Sequence, residues 1–217
     1  MPFIPVPPIV LASQSPRRAQ LMELIGLKFE VVPADLDESY REDERPPEHV
    51  RRLAAEKAAA VAASRPDALV VGSDTVVVIE GEVLGKPRDE VQALEMLMRL
   101  QGRENEVHTG IAVAAPATTG ERERERERGL PGDLVVSGVE SVRVRFRELD
   151  QGTAREYVET GEPMDKAGAY GIQGFGATLV ESIEGDYFAV MGLPIGLMVR
   201  LFGDLGWRYN FKGLEPL

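Results

Sequence analysis

The sequence predicts an α/β protein with one mixed, twisted sheet flanked by helices. Three observations carry this reading. Short apolar runs rich in Val and Ile recur along the chain, as buried strands require. Segments with apolar residues at helical spacing lie among them. The two kinds mix without strict alternation, which points to a mixed sheet. Of the 217 residues, 43% are apolar and 28% charged, enough to bury a core and too balanced for wholesale disorder. A single domain spanning 1–217 is expected, with an extended tail over 1–8 and a charged loop insertion over 117–132.

The elements follow in order. Ile9–Ser13 reads as a buried strand. Ser15 suits a helix N-cap and Pro16 the first helical position, so a helix is expected to about Ile25, stopped by Gly26. Phe29–Val32 is a second strand, and the acidic stretch 34–45 a loop. Pro46–Ser64 is a longer helix with Val50, Leu53, Ala54, Ala58 and Val61 on its buried stripe. Ala68–Val71 is a strand, which Gly72–Thr75 interrupts before Val76–Ile79 continues extended. Glu80-Gly81 predicts a hairpin into Val83-Leu84. Asp89–Leu100 is a helix with Val91, Leu94, Leu97 and Met98 inward. His108–Ala115 is a strand, and Leu134–Phe146 holds one or two more. A helix over Thr153–Glu159, a Gly-rich stretch Ala167–Gly176, a strand Thr178–Ile183 and a helix Pro194–Leu205 complete the pattern. Between two strand regions lies Glu121–Arg128, eight residues of strict Glu-Arg alternation. It reads as a solvated loop extension or a docking arm.

Composition excludes several functions. The chain has no cysteine, so disulfides, thiolate metal sites and a cysteine nucleophile are ruled out. Two histidines, His49 and His108, cannot make a three-histidine metal site. No apolar run approaches about 18 residues, so no membrane helix is expected. The N-terminal Met1–Pro8 lacks a basic region and is broken by proline, unlike a signal peptide; a cytoplasmic protein is the default. A net charge of −11 argues against nucleic acid and anionic membrane as partners. An anionic ligand must then meet a local basic cluster.

Four segments carry candidate chemistry. Arg17 and Arg18 stand in the first turn of a helix, where the dipole disfavours cations. They are surface arginines or, with Ser13, Ser15 and free helix N–H groups, an anion site suited to phosphate. Lys57 falls in the centre of an apolar helical stripe, so it snorkels or meets a buried anion. Positions 17 and 57 both disfavour a cation, which predicts that removing either stabilises the empty protein. Asp74 breaks the apolar run Leu69–Ile79. It satisfies a loop, or it orients a divalent cation or takes a proton from water. Lys86 is fixed beside Pro87. Finally, Gly161, Gly168, Gly171, Gly174 and Gly176 intersperse Asp165, Lys166, Tyr170 and Gln173. That is a flexible connector or a binding segment with close backbone approach.

Taken together, Leu11-Ala-Ser-Gln-Ser-Pro-Arg-Arg18, Glu56-Lys-Ala58, Gly72-Ser-Asp-Thr75, Gly85-Lys-Pro-Arg88, Gly161–Gly174 and Gly192-Leu-Pro194 resemble the Maf family of nucleoside triphosphate pyrophosphatases in residues, order and spacing. The resemblance covers roughly Ile9 to Leu205. It implies two lobes around a cleft in a fold like that of inosine triphosphate pyrophosphatases. It implies hydrolysis of dTTP and UTP to the monophosphate and pyrophosphate with a divalent cation, Mg²⁺ or Mn²⁺, and a homodimer. Asp74 matches the family's catalytic base and Lys86 joins it. Ser13, Arg18, Lys57 and Lys86 match phosphate-holding positions. Arg17, Thr75 and Gln173 match specificity positions, and Glu38 a carboxylate near the metal, whose ligands are otherwise unassigned. Glutamine at 173 marks the dTTP/UTP subfamily; a sister subfamily with glutamate favours 7-methyl-GTP. The alternatives are a 7-methyl-GTP pyrophosphatase, a nucleotide-binding regulator of cell division without catalysis, or a phosphatase or kinase-like enzyme acting at the γ-phosphorus.

Overall fold

A computed structural model describes residues 5–116 and 135–217. Among these, the elements are β1 (Ile9–Leu11), α1 (Pro16–Leu24), β2 (Phe29–Val31), α2 (Pro46–Ala62), β3 (Leu69–Ile79), β4 (Glu82–Leu84), α3 (Glu90–Leu100) and β5 (Glu104–Ala114). They continue with β6 (Val135–Phe146), α4 (Gln151–Glu159), β7 (Val180–Glu184), α5 (Tyr187–Val190), α6 (Ile195–Asp204), β8 (Trp207–Tyr209) and β9 (Leu214–Pro216). Three 3-10 turns, Glu162–Asp165, Ala167–Ala169 and Gly174–Thr178, fill the Gly-rich stretch. The Glu-Arg run lies outside the described residues.

The α/β class is as expected. One seven-stranded sheet runs β2-β1-β3-β5-β6-β7, with β4 beside β3, and β8-β9 form a separate hairpin. β1 pairs parallel with β2 and β3, and the remaining pairs are antiparallel. β3 is therefore the seam of the mixed sheet. β1 covers one edge of it at Leu69–Val71, and β4 covers the same edge at Val77–Ile79. Among the described residues no strand pairs with Gly72–Val76 there, and the cleft opens at that gap.

Period-two alternation builds the two lobes. On one face of β3, Leu69 and Val71 join Leu21, Met22, Met198 and Phe202 in a core beneath α1 and α6. Val77 and Ile79, on the same face, join Leu97, Leu100, Val144 and Phe146 in a second core with α3 and α4. Ser73 and Thr75 fall between the two cores. The opposite face carries α2, whose Ala54, Ala58 and Val61 pack on Val10, Val70 and Ala112. A Cβ at Gly72 would meet the Ala54 carbonyl oxygen at 2.2 Å, and one at Gly110 the Val50 carbonyl oxygen at 2.1 Å. Glycine at these two points lets α2 lie directly on the sheet.

Several boundaries differ from expectation. β3 is unbroken, because its polar residues find partners: the Ser73 hydroxyl lies 2.8 Å from both the Gly110 and Gly192 carbonyl oxygens, and Asp74 accepts from Lys57. β5 begins at Glu104, with Asn105 buried and satisfied by the Val144 carbonyl and the Tyr170 hydroxyl. The region before Phe146 is one strand. Val91 points outward at 68% exposure, since the buried face of α3 is Ala93, Met96, Leu97 and Leu100. Ser15 occupies the N-cap of α1 without a side-chain cap; its own N–H donates to Ser13 Oγ at 3.2 Å.

Candidate active site

A cavity of about 930 Å³ opens at the gap beside β3. The β1–α1 loop, the acidic loop before α2, β3, the β4 end and the Gly-rich stretch all line it. Five cations (Arg17, Arg18, Lys57, Lys86, Lys166) and four carboxylates (Asp35, Glu38, Asp74, Asp165) face it. In a chain of net charge −11, this is a local excess of positive charge. Every candidate position, Ser13, Arg17, Arg18, Lys57, Asp74, Thr75, Lys86 and Gln173, lines this one cavity, as does Glu38.

Lys57 is the centre of the arrangement. α2 carries it at 6% exposure to the sheet, so it does not snorkel. Its Nζ donates to Asp74 Oδ1 at 2.7 Å and lies 2.6 Å from Glu38 Oε1. Burial pushes the Glu38 carboxyl up, but the hydrogen bond and charge of Lys57 outweigh it and hold Glu38 below its ordinary value. A lysine in an apolar stripe is thus explained by two carboxylates converging on it.

Arg18 turns inward beside this pair. Its Nε donates to the Gly192 carbonyl at 2.9 Å, Nη1 to Ser13 Oγ at 2.9 Å, and Nη2 to Thr75 Oγ1 at 3.3 Å. Desolvation lowers its pKa, opposed by the Asp74 charge. Arg17 pairs with Asp165 at 2.7 Å, joining α1 to the Gly-rich stretch. Asp165 also accepts from Lys166 at 2.7 Å. Burial raises its pKa, but Lys166 and Arg17 hold it below its ordinary value. Lys86 is exposed, lines the cavity and, among the described residues, pairs with no carboxylate. Gln173 is exposed at the mouth. Its segment is pinned by Glu162, whose carboxylate accepts from the Tyr157 hydroxyl, the Phe175 N–H and the Gly176 N–H, each at 2.9 Å.

Sequence reasoning missed the scaffold of the acidic loop. Glu44 accepts from Arg52 Nε at 2.6 Å and Nη2 at 2.7 Å, and from His49 Nδ1 at 2.9 Å. Arg52 holds the Ser39 carbonyl at 3.1 Å and Glu56 at 2.9 Å. Tyr40 stacks on His49 with ring centroids 3.5 Å apart and planes at 4°. Burial, then the Asp74 charge, pushes the Tyr40 phenol up to about 12, so it stays neutral. These contacts bring Glu38 to Lys57. The signal available in the sequence was the spacing of His49, Arg52 and Glu56 on one face of α2.

The donors near Lys57 are the carboxylate oxygens of Glu38 and Asp74. No cluster of three or more His, Asp or Glu suited to a metal occurs among the described residues. Two carboxylates with phosphate oxygens and water are the set that Mg²⁺ takes from a nucleotide enzyme, so the residues fit such an ion. Among the described residues no helix is long and apolar enough to cross a membrane.

Comparison with known proteins places the chain in a family. A family model described as Maf-like protein matches residues 8–205. A protein named dTTP/UTP pyrophosphatase from Syntrophus aciditrophicus (strain SB) is 46% identical, over 94% of this chain and 93% of its own length. Proteins of the same name from Geobacillus sp. (strain WCH70) and Thermotoga maritima are 44% and 45% identical, over 92% of this chain and 98% and 90% of their own. A solved structure of a HAM1 protein from Coxiella burnetii aligns at 17% identity with a TM-score of 0.38, covering 72% of this chain and 98% of that one. The family model spans nearly the whole chain, and relatives near 45% identity span about nine-tenths of it: the chain belongs to the Maf family.

Proposed function

We propose that the protein hydrolyses dTTP and UTP to the nucleoside monophosphate and pyrophosphate. The observation that carries this reading is the convergence of Asp74 and Glu38 on buried Lys57, inside a cavity that also offers Arg18 and Lys86 to phosphates. The relatives' name supports the substrates.

Asp74 is the general base in this reading. It takes a proton from water as the water oxygen bonds to the α-phosphorus, and the bond from that phosphorus to the bridging oxygen breaks. Pyrophosphate leaves with the bonding electrons. Lys57 holds the Asp74 carboxylate in place at 2.7 Å. Arg18, anchored on Ser13 and Gly192, and Lys86 offset charge on the triphosphate, where positioning and electrostatics supply most of the acceleration. Glu38 and Asp74 would hold a divalent cation, Mg²⁺ or Mn²⁺, which when bound neutralises phosphate charge. Arg17, Thr75 and Gln173 select the nucleotide. A glutamine amide N–H can donate to the carbonyl oxygen next to the ring N–H of uracil and thymine. The reading includes a cytoplasmic enzyme acting as a homodimer, which sedimentation of the purified protein would check.

The test is a panel of UTP, dTTP, CTP and 7-methyl-GTP assayed for pyrophosphate and orthophosphate. Pyrophosphate from UTP and dTTP is expected. Asp74→Asn should lower it by about 10²–10⁴-fold while the fold survives. Orthophosphate as first product, or an unimpaired Asp74→Asn, would refute the assignment.

A further inference from the structure

Thr75 and Thr109 face each other across β3 and β5, with their Oγ1 atoms 3.0 Å apart. Thr109 Oγ1 also lies 2.8 Å from the Ala189 carbonyl oxygen, and Arg18 Nη2 lies 3.3 Å from Thr75 Oγ1. Thr109 is fully buried, while Thr75 is half-buried and lines the cavity. Arg18 brings its own hydrogen to Thr75. The other two contacts have only the two hydroxyl hydrogens to share. A carbonyl oxygen accepts and never donates, so the Thr109 hydrogen points to Ala189. The Thr75 hydrogen then fills the contact with Thr109. The reverse arrangement leaves two oxygens at 2.8 Å with no hydrogen between them.

We propose that Thr109 is a positioning residue for base selection: it draws the Thr75 hydrogen away from the cavity, so that Thr75 offers substrate only a lone pair. The inference rests on the pyrimidine triphosphate reading above. A lone pair accepts the ring N–H of uracil or thymine and repels the unprotonated ring nitrogen of cytosine. It also repels a phosphate oxygen, which assigns Thr75 to the base or sugar. Gln173 cannot impose this choice, because its amide can turn over to suit either base. The hydroxyl chain ending on a backbone carbonyl cannot turn over without losing a hydrogen bond.

The test measures binding of α,β-methylene-UTP, α,β-methylene-CTP and inorganic tripolyphosphate, each with Mg²⁺, by calorimetry. Wild type is compared with Thr109→Val, which keeps shape but loses the hydroxyl, and Thr109→Ser, which restores it. The Ala189 carbonyl still accepts from the Gly192 N–H at 2.9 Å, so valine orphans no acceptor. The ratio of dissociation constants, CTP analogue over UTP analogue, is expected to fall about fivefold or more in Thr109→Val. Thr109→Ser should keep the wild-type ratio, and tripolyphosphate should bind all three proteins equally. Should valine unfold the protein, Thr109→Ala takes its place with the same expected readings. An unchanged ratio in the variant lacking the hydroxyl overturns the inference, as does a wild type without uracil preference or a loss in Thr109→Ser as large as in valine. Pyrophosphate release from UTP by wild type is measured in parallel. Its absence beside an intact Thr109 effect on binding overturns the activity and supports the inference.

Discussion

Replacing Gly72 with alanine tests how the Lys57–Asp74 pair of the proposed site is held. The added Cβ would sit 2.2 Å from the Ala54 carbonyl oxygen and 2.8 Å from the Ala58 nitrogen, both in the backbone of α2. Backbone in a helix cannot swing aside like a side-chain end. Relaxing the contact to van der Waals separation, about 3.5 Å, lifts this part of the helix by roughly 1 Å. Lys57 lies between those two residues, and its bond to Asp74 is only 2.7 Å long. A lift of about that size carries the pair beyond hydrogen-bond distance. Overpacking costs about 1–3 kcal/mol, sometimes more. At about 2–4 °C per kcal/mol for a chain of this size, Tm falls by roughly 2–12 °C. Misplacement by about 1 Å costs turnover on the order of 100-fold. The assay pairs thermal melting with pyrophosphate release from UTP. Gly203→Ala serves as control: a Cβ there meets nothing within 4 Å, so Tm holds or rises. A Gly72→Ala protein that melts with wild type and turns over normally would show that this contact does not set the Lys57–Asp74 distance.

Lys57→Met should lower Tm, the reverse of what the sequence suggested, because it strips the cation from Asp74 and Glu38; breaking a buried pair costs about 3–5 kcal/mol, with the exposure of Glu38 placing this case at the lower end. A raised Tm would restore the view that function alone retains the lysine. Gln173→Glu should shift preference from UTP toward guanine nucleotides, by about 5- to 150-fold in the ratio of kcat/KM for UTP and 7-methyl-GTP; an unchanged ratio means that Gln173 does not read the base. The Arg52 hydrogen bonds hold the Glu44 carboxyl well below its ordinary value, against its burial. Its contribution to stability is therefore full above the ordinary glutamate range, about 4.3, and is lost as pH falls through and below it. Melting between neutral pH and pH 3 should show Glu44→Gln less stable at neutral pH and flatter on the acid side; parallel curves would refute this.

Much of the site was legible because its residues violate local rules. Lys57 in an apolar stripe, Asp74 in an apolar strand and Arg17 and Arg18 at the positive end of a helix each need a partner that the local sequence does not supply. The sheet positions of Val142, Val144 and Phe146 were legible from alternation, and all three are buried. What the sequence hid depends on contacts distant along the chain. Asp74 was read as part of an interruption of the strand because the cation that satisfies it sits 17 residues earlier. Thr109 looked like an ordinary strand residue, since its role comes from Thr75 across the sheet and a carbonyl 80 residues later. Glu44, His49 and Arg52 lay in a segment that reads as polar loop running into helix, where charge alone does not reveal who pairs with whom. Val91 was placed inward by taking one apolar residue too many on α3.

The bond from Arg18 to the Gly192 carbonyl spans 174 residues and has a consequence for biosynthesis. Chains emerge from the ribosome N-terminus first, at about 5–20 residues per second. Arg18 is therefore made roughly 10–35 s before its anchor at that rate. Asp74, Lys57 and Glu38 are all translated in that interval, and the first lobe's strands and α2 can pair as they appear. The arginine's bonds to Ser13 and Thr75 can form early, but its Nε stays without this carbonyl partner until Gly192 is added. A nascent chain can thus hold most of its sheet before the Gly192 carbonyl that completes the proposed phosphate site around Arg18 has been made.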